Sequence, residues 1–247
     1  MIVLFSPSEA KHSGGEKKSF SKESFLFPEL FDKRLEIVKA YNEYILNSDD
    51  EKLMKLFGTK KADVINHYKK DIFSSDTMKV IKRYDGVAFD YVKYDELNTK
   101  EQSYIDENVI IFSNLFGPLR AGDNGLPDYK LKQGESFDGL KIEKFYNDNF
   151  SFIMDEYLAG EDIIDLRAGF YEKFYKLKQP YVTMKFIKDG KVVSHWAKAY
   201  RGIILNQLAK NSIKTIDELM NLEIENLKVE EIKETKIKKE IVYSITN

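Results

Sequence analysis

Cationic side chains next to glycine, serine or proline recur at three places in this 247-residue chain, each after a short apolar run. Ser6-Pro7-Ser8-Glu9-Ala10-Lys11 follows Ile2–Phe5. Ser113–Arg120 follows Val109–Phe112, and Arg167-Ala168-Gly169 follows Ile163–Leu166. Apolar runs of this length bounded by turn residues read as buried strands. In open α/β sheets, ligand sites collect at the carboxyl ends of strands. The three loops are therefore expected to converge, joining Lys11, Arg120 and Arg167 to Lys198 and Arg201 around one cleft. Such a cleft would attract phosphate or carboxylate. The competing expectation is that Arg167 and Arg201 tie down carbonyls or pair with Asp90, Asp123 or Asp165.

A second cationic signal is Leu56-Phe57-Gly58-Thr59-Lys60-Lys61-Ala62, an apolar-Gly turn between two amphipathic segments. The layout resembles a helix-hairpin-helix element, whose hairpin amides and lysines hold a DNA phosphate without reading bases. Gly58, Thr59, Lys60 and Lys61 would make that contact, with Lys69 and Lys70 adding charge. Any helix-turn-helix corner with a solvated face gives the same pattern, so both readings stand.

Other chemistries find less support. His12, His67 and His195 lack metal-site spacing. His195, beside Trp196, is either a cleft residue or a satisfied structural histidine. The chain has no cysteine, which removes disulfides, thiolate ligands and Cys nucleophiles. It contains no GxGxxG, P-loop or GxSxG pattern and no arguable catalytic triad. The expectation is no metal and no cofactor, with the catalytic residues, if any, unknown.

The elements that would position these residues follow from periodicity. Residues 29–72 carry apolar positions at helical spacing and predict two to four short helices, broken near Asn47–Asp50 and Gly58-Thr59. A helix or strand is expected around Tyr84–Val87, a strand over Asn108–Ser113, a loop through Asn114–Arg120, and a Gly- and Pro-rich loop through Pro127. A helix over Phe145–Leu158 and a strand over Asp162–Leu166 come next. Tyr181–Lys188 alternates on a period of two, Asp189-Gly190 is a favoured turn, and Lys191–Trp196 returns, giving a hairpin. Helices are expected over 197–209 and from Ser212, and Glu240–Ile245 reads as an edge strand. The fold class is mixed α/β (α+β): a single domain over 1–247, with a central mixed sheet, the helical subdomain at 29–72 and the hairpin in the last third.

Composition bounds the partners. Hydrophobic residues make up 43% and aromatics 13%, enough for a sizeable core. With 39 basic and 41 acidic groups, the net charge of −2 argues against a generic polyanion coat, although local potential decides binding. No apolar run approaches the roughly 20 residues of a membrane helix. The opening stretch Met1–Phe5 is too short for a secretory signal. No membrane partner and a cytoplasmic location are expected.

Five blocks, in order, resemble the YaaA family. They are Ser6–Lys11; Tyr84–Phe89; Leu115–Arg120 continuing through Pro127–Leu131 to Gly134; Asp165–Tyr171; and Ser194–Gly202. The resemblance implies a mixed α/β fold with a positively charged cleft and a helix-hairpin-helix-like element. It also implies a DNA-binding role in resistance to hydrogen peroxide and in limiting free iron. Lys11, Arg120, Lys130, Arg167, Lys198 and Arg201 fall on its motif positions. Lys130 stands where many members have Arg, which loses a bidentate phosphate fork. Two functions follow: structure-dependent binding of duplex or distorted DNA through its phosphate backbone, or an enzyme acting on a nucleotide or other small anion in the same cleft. In the second, Lys11 and Lys198 would be the base or electrostatic stabiliser.

Overall fold

The computed structural model describes residues 1–16 and 19–246, and every side chain there except those of Ser194 and His195. The first half contains Ile2–Phe5 (β1), Phe31–Asn47 (α1), Asp50–Phe57 (α2), Ala62–Tyr68 (α3), Thr77–Lys79 (β2) and Val80–Arg83 (α4). Val87–Val92 (α5), Thr99–Asn108 (α6), Val109–Ser113 (β3), Gly117–Arg120 (β4) and Asn124–Pro127 (β5) follow. The second half contains Ile142–Leu158 (α7), Ile163–Asp165 (β6), Tyr181–Lys188 (β7), Lys191–Val192 (β8) and Ser194–Lys210 (α8). Ile216–Met220 (α9), Leu227–Glu234 (β9) and Lys238–Ile245 (β10) complete the described chain.

The main sheet runs β4-β3-β1-β6-β7-β10-β9, with β8 joined to β7. From β3 to β10 neighbours are parallel, while β4 and β9 are antiparallel. β2 and β5 form a separate antiparallel pair. Uninterrupted apolar runs such as Ile2-Val3-Leu4-Phe5 are what parallel strands covered on both faces require, and all four of these residues are buried. Helices supply the cover through stripes at helical spacing. Tyr146, Phe150, Met154 and Leu158 are the buried side of α7; Ile37, Val38, Tyr41 and Ile45 belong to that of α1. The fold is thus mixed α/β, as the patterning implies.

Several local expectations change. Residues 117–120 and 124–127 are strands rather than loop. Gly117 makes this possible: at φ +68° it turns the chain sharply enough for β4 to fold back on β3. The hairpin turns at Asp189 and Gly190, both at positive φ as a two-residue turn of this hand needs, but its return strand is only Lys191–Val192. α8 begins at Ser194 and takes over what alternation assigned to a strand. β10 lies between β7 and β9, so the edge is the charged segment 227–234. Charge on both faces suits an edge exposed to water.

Two arginines hold loops together from within. Arg34 donates to the carbonyls of Phe116, Pro118 (3.2 Å) and Leu26 (2.8 Å). Arg83 donates to those of His12, Gly14 (2.9 Å), Asp76 (3.0 Å) and Leu126 (3.1 Å). Both are buried, and the carbonyls they satisfy would otherwise be costly to bury.

Gly117→Ala tests the β3–β4 corner. A Cβ there would enter the Tyr146 ring, on a backbone that L-residues rarely adopt. We expect a loss of about 2–4 kcal/mol in urea unfolding, read as a lower midpoint at unchanged m.

Candidate functional site

Parallel pairing puts the carboxyl ends of β1 and β6 side by side, in the register Leu4↔Asp165. The Leu166 amide donates to Leu4 O at 2.9 Å, and the Ala168 amide to Ser6 Oγ at 2.7 Å, so the two outgoing loops are stitched together. Above them lies a cavity of about 480 Å³. The β1 loop contributes Ser6, Ser8 and Glu9 to it; the β6 loop contributes Ala168 and Tyr171. Gly86 and Phe89 close one side, Gln133 sits at the rim, and Lys198 and Arg201 reach in from α8.

Close backbone approaches set this geometry. A Cβ on Gly86 would come within 3.0 Å of Ser8 Oγ, at a φ of +120°. A Cβ on Gly202 would collide with the Ala88 carbonyl, so the backbones of α5 and α8 approach closely here, and the neighbouring Arg201 lines the cavity. Glu9 Oε1 accepts the Gln133 amide at 2.9 Å, which ties two lining residues from distant parts of the chain together. Tyr171 OH donates to Asn114 Oδ1 at 2.9 Å, which holds its ring in the wall.

The six cations expected together separate into four situations. Lys198 and Arg201 line the cavity, and neither side chain makes a hydrogen bond or ion pair with another described residue. Arg201 is half-buried; desolvation lowers its pKa, and the negative charge of Asp165 opposes that shift. Lys11 lies one layer behind the wall. Its Nζ is 3.4 Å from the carbonyls of Ser8 and Glu9 and 4.0 Å from the Tyr129 ring centroid. Burial lowers this amine to about 7, against the pull of Asp128 and Glu9 and helped by the repulsion of Lys130 and Arg83. Lys130 belongs to the same cluster, with Nζ 5.9 Å from the Tyr68 ring.

Arg167 and Arg120 do not join them. The Arg167 guanidinium grips both Asp165 oxygens at 2.8 Å and donates to the carbonyls of Tyr171 (3.2 Å) and Tyr175 (2.9 Å). At 6% exposure it is a buried strut beneath the site. The structural alternative stated above therefore holds for Arg167. Arg120 is carried away because β4 runs antiparallel, opposite Ile110 near the start of β3. It lies 3.4 Å from Asp123 and lines a different hollow with Lys22 and Phe27.

The 58–61 corner is the turn between α2 and α3, with Gly58, Lys60 and Lys61 exposed. Gly58, at φ +65°, caps α2; its amide donates to Lys55 O, and the Thr59 amide to Met54 O. The Lys61 amide is taken by Thr59 Oγ1. These amides are occupied, while the Lys60 and Lys61 side chains are exposed. Lys132 packs directly over Gly58, and the next residue, Gln133, is at the cavity rim.

Tyr171, Gln133, Ser8 and Gly86 went unassigned from sequence, since none carries a charge that marks it. Asp128 was missed too: 7% exposed, its Oδ2 is 3.0 Å from His67 Nε2, while Oδ1 has no hydrogen-bond partner among the described residues. The separation of 61 positions between His67 and Asp128 concealed that pair. The His195 side chain lies outside the described residues. Among the described residues, no helix is long and apolar enough to cross a membrane.

A largely parallel sheet with a cavity at its carboxyl edge, where the Arg201 side chain has no hydrogen bond or ion pair with another described residue, defines a mixed α/β protein. Residues 1–233 match the family described as peroxide stress protein YaaA, and the chain belongs to that family. An uncharacterized protein of Campylobacter jejuni is 48% identical over 220 residues, 89% of either chain. A UPF0246 protein of Corynebacterium efficiens is 33% identical over 85% of each chain, and one of Fusobacterium nucleatum 26% identical over 91% of this chain and 92% of its own.

Two substitutions test the electrostatics. Arg167→Ala leaves Asp165 buried without its partner and should cost about 3–5 kcal/mol in denaturant unfolding. Lys11 should make stability depend on pH. Below about 7 folded and unfolded chains both hold its proton; between about 7 and 10.5 the unfolded chain holds more, so stability rises with pH. In Lys11→Met that rise, measured by urea unfolding across the window, should disappear.

Proposed function

We propose that the chain serves the peroxide response by binding DNA and receiving an unstacked nucleotide in the cavity above β1 and β6. Arg201, half-buried and unpaired at the mouth, is the observation that carries this reading. A desolvated guanidinium facing empty volume awaits an anion, and phosphate suits its fork. Phe5, Phe89, Leu166 and Tyr171 give the interior an apolar, partly aromatic lining for a base. The volume falls within the roughly 300–1,000 Å³ usual for small-molecule sites.

DNA is favoured as the carrier by the path across the surface. Lys60 and Lys61 are exposed at the 58–61 corner, Lys132 covers Gly58, and the next residue, Gln133, lines the cavity together with Lys198 and Arg201. A strand crossing that path meets cations before and after the cavity. With the Gly58, Thr59 and Lys61 amides occupied, a hairpin-like contact here would rest on lysine side chains rather than backbone N–H groups. Binding would then be electrostatic and tolerant of sequence.

The second reading, an enzyme acting on a free nucleotide, is favoured by Lys11, an amine near neutrality behind Ser8 and Glu9. Fluorescence anisotropy with a labelled single-stranded oligonucleotide separates the two. DNA binding should weaken steeply between about 50 and 200 mM salt, and Arg201→Ala should weaken it about tenfold or more. A flat salt response would remove the DNA reading. Saturable thermal stabilisation by a mononucleotide with no oligonucleotide binding would establish the second.

A further inference from the structure

The cavity above β1 and β6 is lined by two cations, Lys198 and Arg201, and by one acidic residue, Glu9. These opposite charges do not meet: Glu9 makes no ion pair with either cation, nor with any other described residue. Its Oε1 accepts the Gln133 amide at 2.9 Å, while Oε2 has no hydrogen-bond partner among the described residues. The residue is held from both sides. Its backbone carbonyl lies 3.4 Å from Lys11 Nζ, and Lys11 is bridged to Tyr84. Gln133, itself a lining residue, follows Lys132, whose amide donates to Leu56 O at 2.9 Å. Burial, then Tyr129 and the Glu9 charge, raise the Tyr171 phenol, so the carboxylate is within electrostatic reach of a ring in the cavity wall. Glu9 is thus fixed beside the cavity with one carboxylate oxygen unused.

Unpaired charges of opposite sign around one apolar hollow suit a ligand that is anionic at one end and rich in N–H donors at the other. We propose that Glu9 selects guanine: its carboxylate accepts the N1–H and N2–H groups of a guanine nucleotide whose phosphate lies on Arg201 and Lys198. The proposal rests on the nucleotide reading above and names the base. An ionised carboxylate offers about four lone-pair sites, so Oε1 can keep the Gln133 amide and still take a donor from the base. Guanine is the base whose pairing edge carries two adjacent N–H donors. Adenine and cytosine set a ring-nitrogen lone pair beside their amino group, and thymine flanks its single N–H with two carbonyl oxygens. Each of these would turn a lone pair toward the carboxylate. Phe89, Leu166 and Tyr171 supply apolar surface for the ring. A guanine nucleotide within a strand and free guanosine monophosphate present the same edge and the same phosphate.

A bidentate contact of this kind discriminates one base from another by roughly 5- to 150-fold. Phosphate contacts elsewhere along the strand carry no such information, so selection at the cavity is compatible with electrostatic binding outside it. A glutamate serving only to tie down Gln133 would use Oε1 in the same way. The two roles differ in what Glu9→Gln does, because glutamine keeps an oxygen for the Gln133 amide but replaces the second acceptor with an N–H donor.

The test uses labelled thymidine oligonucleotides of about 15 residues that differ at one central position, dG, dA, dC or deoxyinosine, in fluorescence anisotropy with the full chain. We expect dG to bind about tenfold more tightly than dA or dC, with deoxyinosine, which lacks the 2-amino group, in between. Glu9→Gln should bring the dG-to-dA ratio to about one, whereas Arg201→Ala should weaken every oligonucleotide and keep the ratio. Should Glu9→Gln fail to fold, Glu9→Asp, with its shorter reach, should narrow the ratio instead. Equal affinity for all four central bases, with a steep salt response, overturns guanine selection and leaves the DNA reading standing. A dG preference that survives at Glu9, with all oligonucleotides weakened alike, makes this residue a tie for Gln133 and also overturns the proposal. Thermal shift with guanosine and adenosine monophosphates supplies the second arm. Stabilisation by the guanine nucleotide alone, without oligonucleotide binding, supports Glu9 as the selector of a free nucleotide and removes the DNA reading. Binding of neither strand nor mononucleotide overturns both.

Discussion

Parallel pairing of β1 between β3 and β6 is the constraint on which the rest depends. It buries four consecutive apolar residues on both faces and forces three chain exits to the same edge. At that edge the backbone leaves the ladder, and its polar groups need new partners. Ser6, Asn114 and Asp165 supply some of them: Ser6 Oγ accepts the Ala168 amide, Asp165 Oδ1 accepts the Arg167 amide, and Asn114 donates to Leu131 O. The cavity is what remains above this network once α5 and α8 close over it.

Charge is then divided between structure and site by desolvation. Arg34, Arg83 and Arg167 are surrounded by carbonyls, and Arg167 is neutralised by Asp165 as well. Arg34 and Arg83 join segments far apart in sequence, and Arg167 closes its own loop, uses for which the five fixed donors of a guanidinium are suited. Arg201 has no such partner among the described residues, and Lys11 has only long contacts to carbonyls. The same residue types thus do opposite work in one protein. Lys198 and Arg201 line the cavity together with Glu9, in a chain whose overall charge is slightly negative.

Family membership and geometry bear on different questions. The match over residues 1–233 attaches the chain to peroxide stress, a physiological setting. The cavity bears on chemistry: its size, its apolar lining and an arginine without a partner among the described residues are what the proposed function rests on. The proposed nucleotide joins the two, because nucleic acid is both a target of peroxide chemistry and a source of phosphate, base and sugar in one unit.

Much was determined by the sequence alone. Apolar runs identified β1, β3 and β6; helical periodicity located α1, α2, α3 and α7; and Asp189-Gly190 placed a turn. Local sterics and burial govern those features, so they are written in neighbouring residues. The breaks at Asn47–Asp50 and at Gly58 were legible for the same reason. Which cations would meet was left to the tertiary structure. Arg120 and Lys11 look equivalent in sequence, yet the positive φ of Gly117 reverses the chain and carries Arg120 to the other end of β3. Arg167 and Arg201 look equivalent too, yet one faces Asp165 inside the protein and the other faces the cavity. Strand direction and burial depend on contacts between residues distant along the chain, and those contacts decide whether a charge is neutralised or left for a ligand.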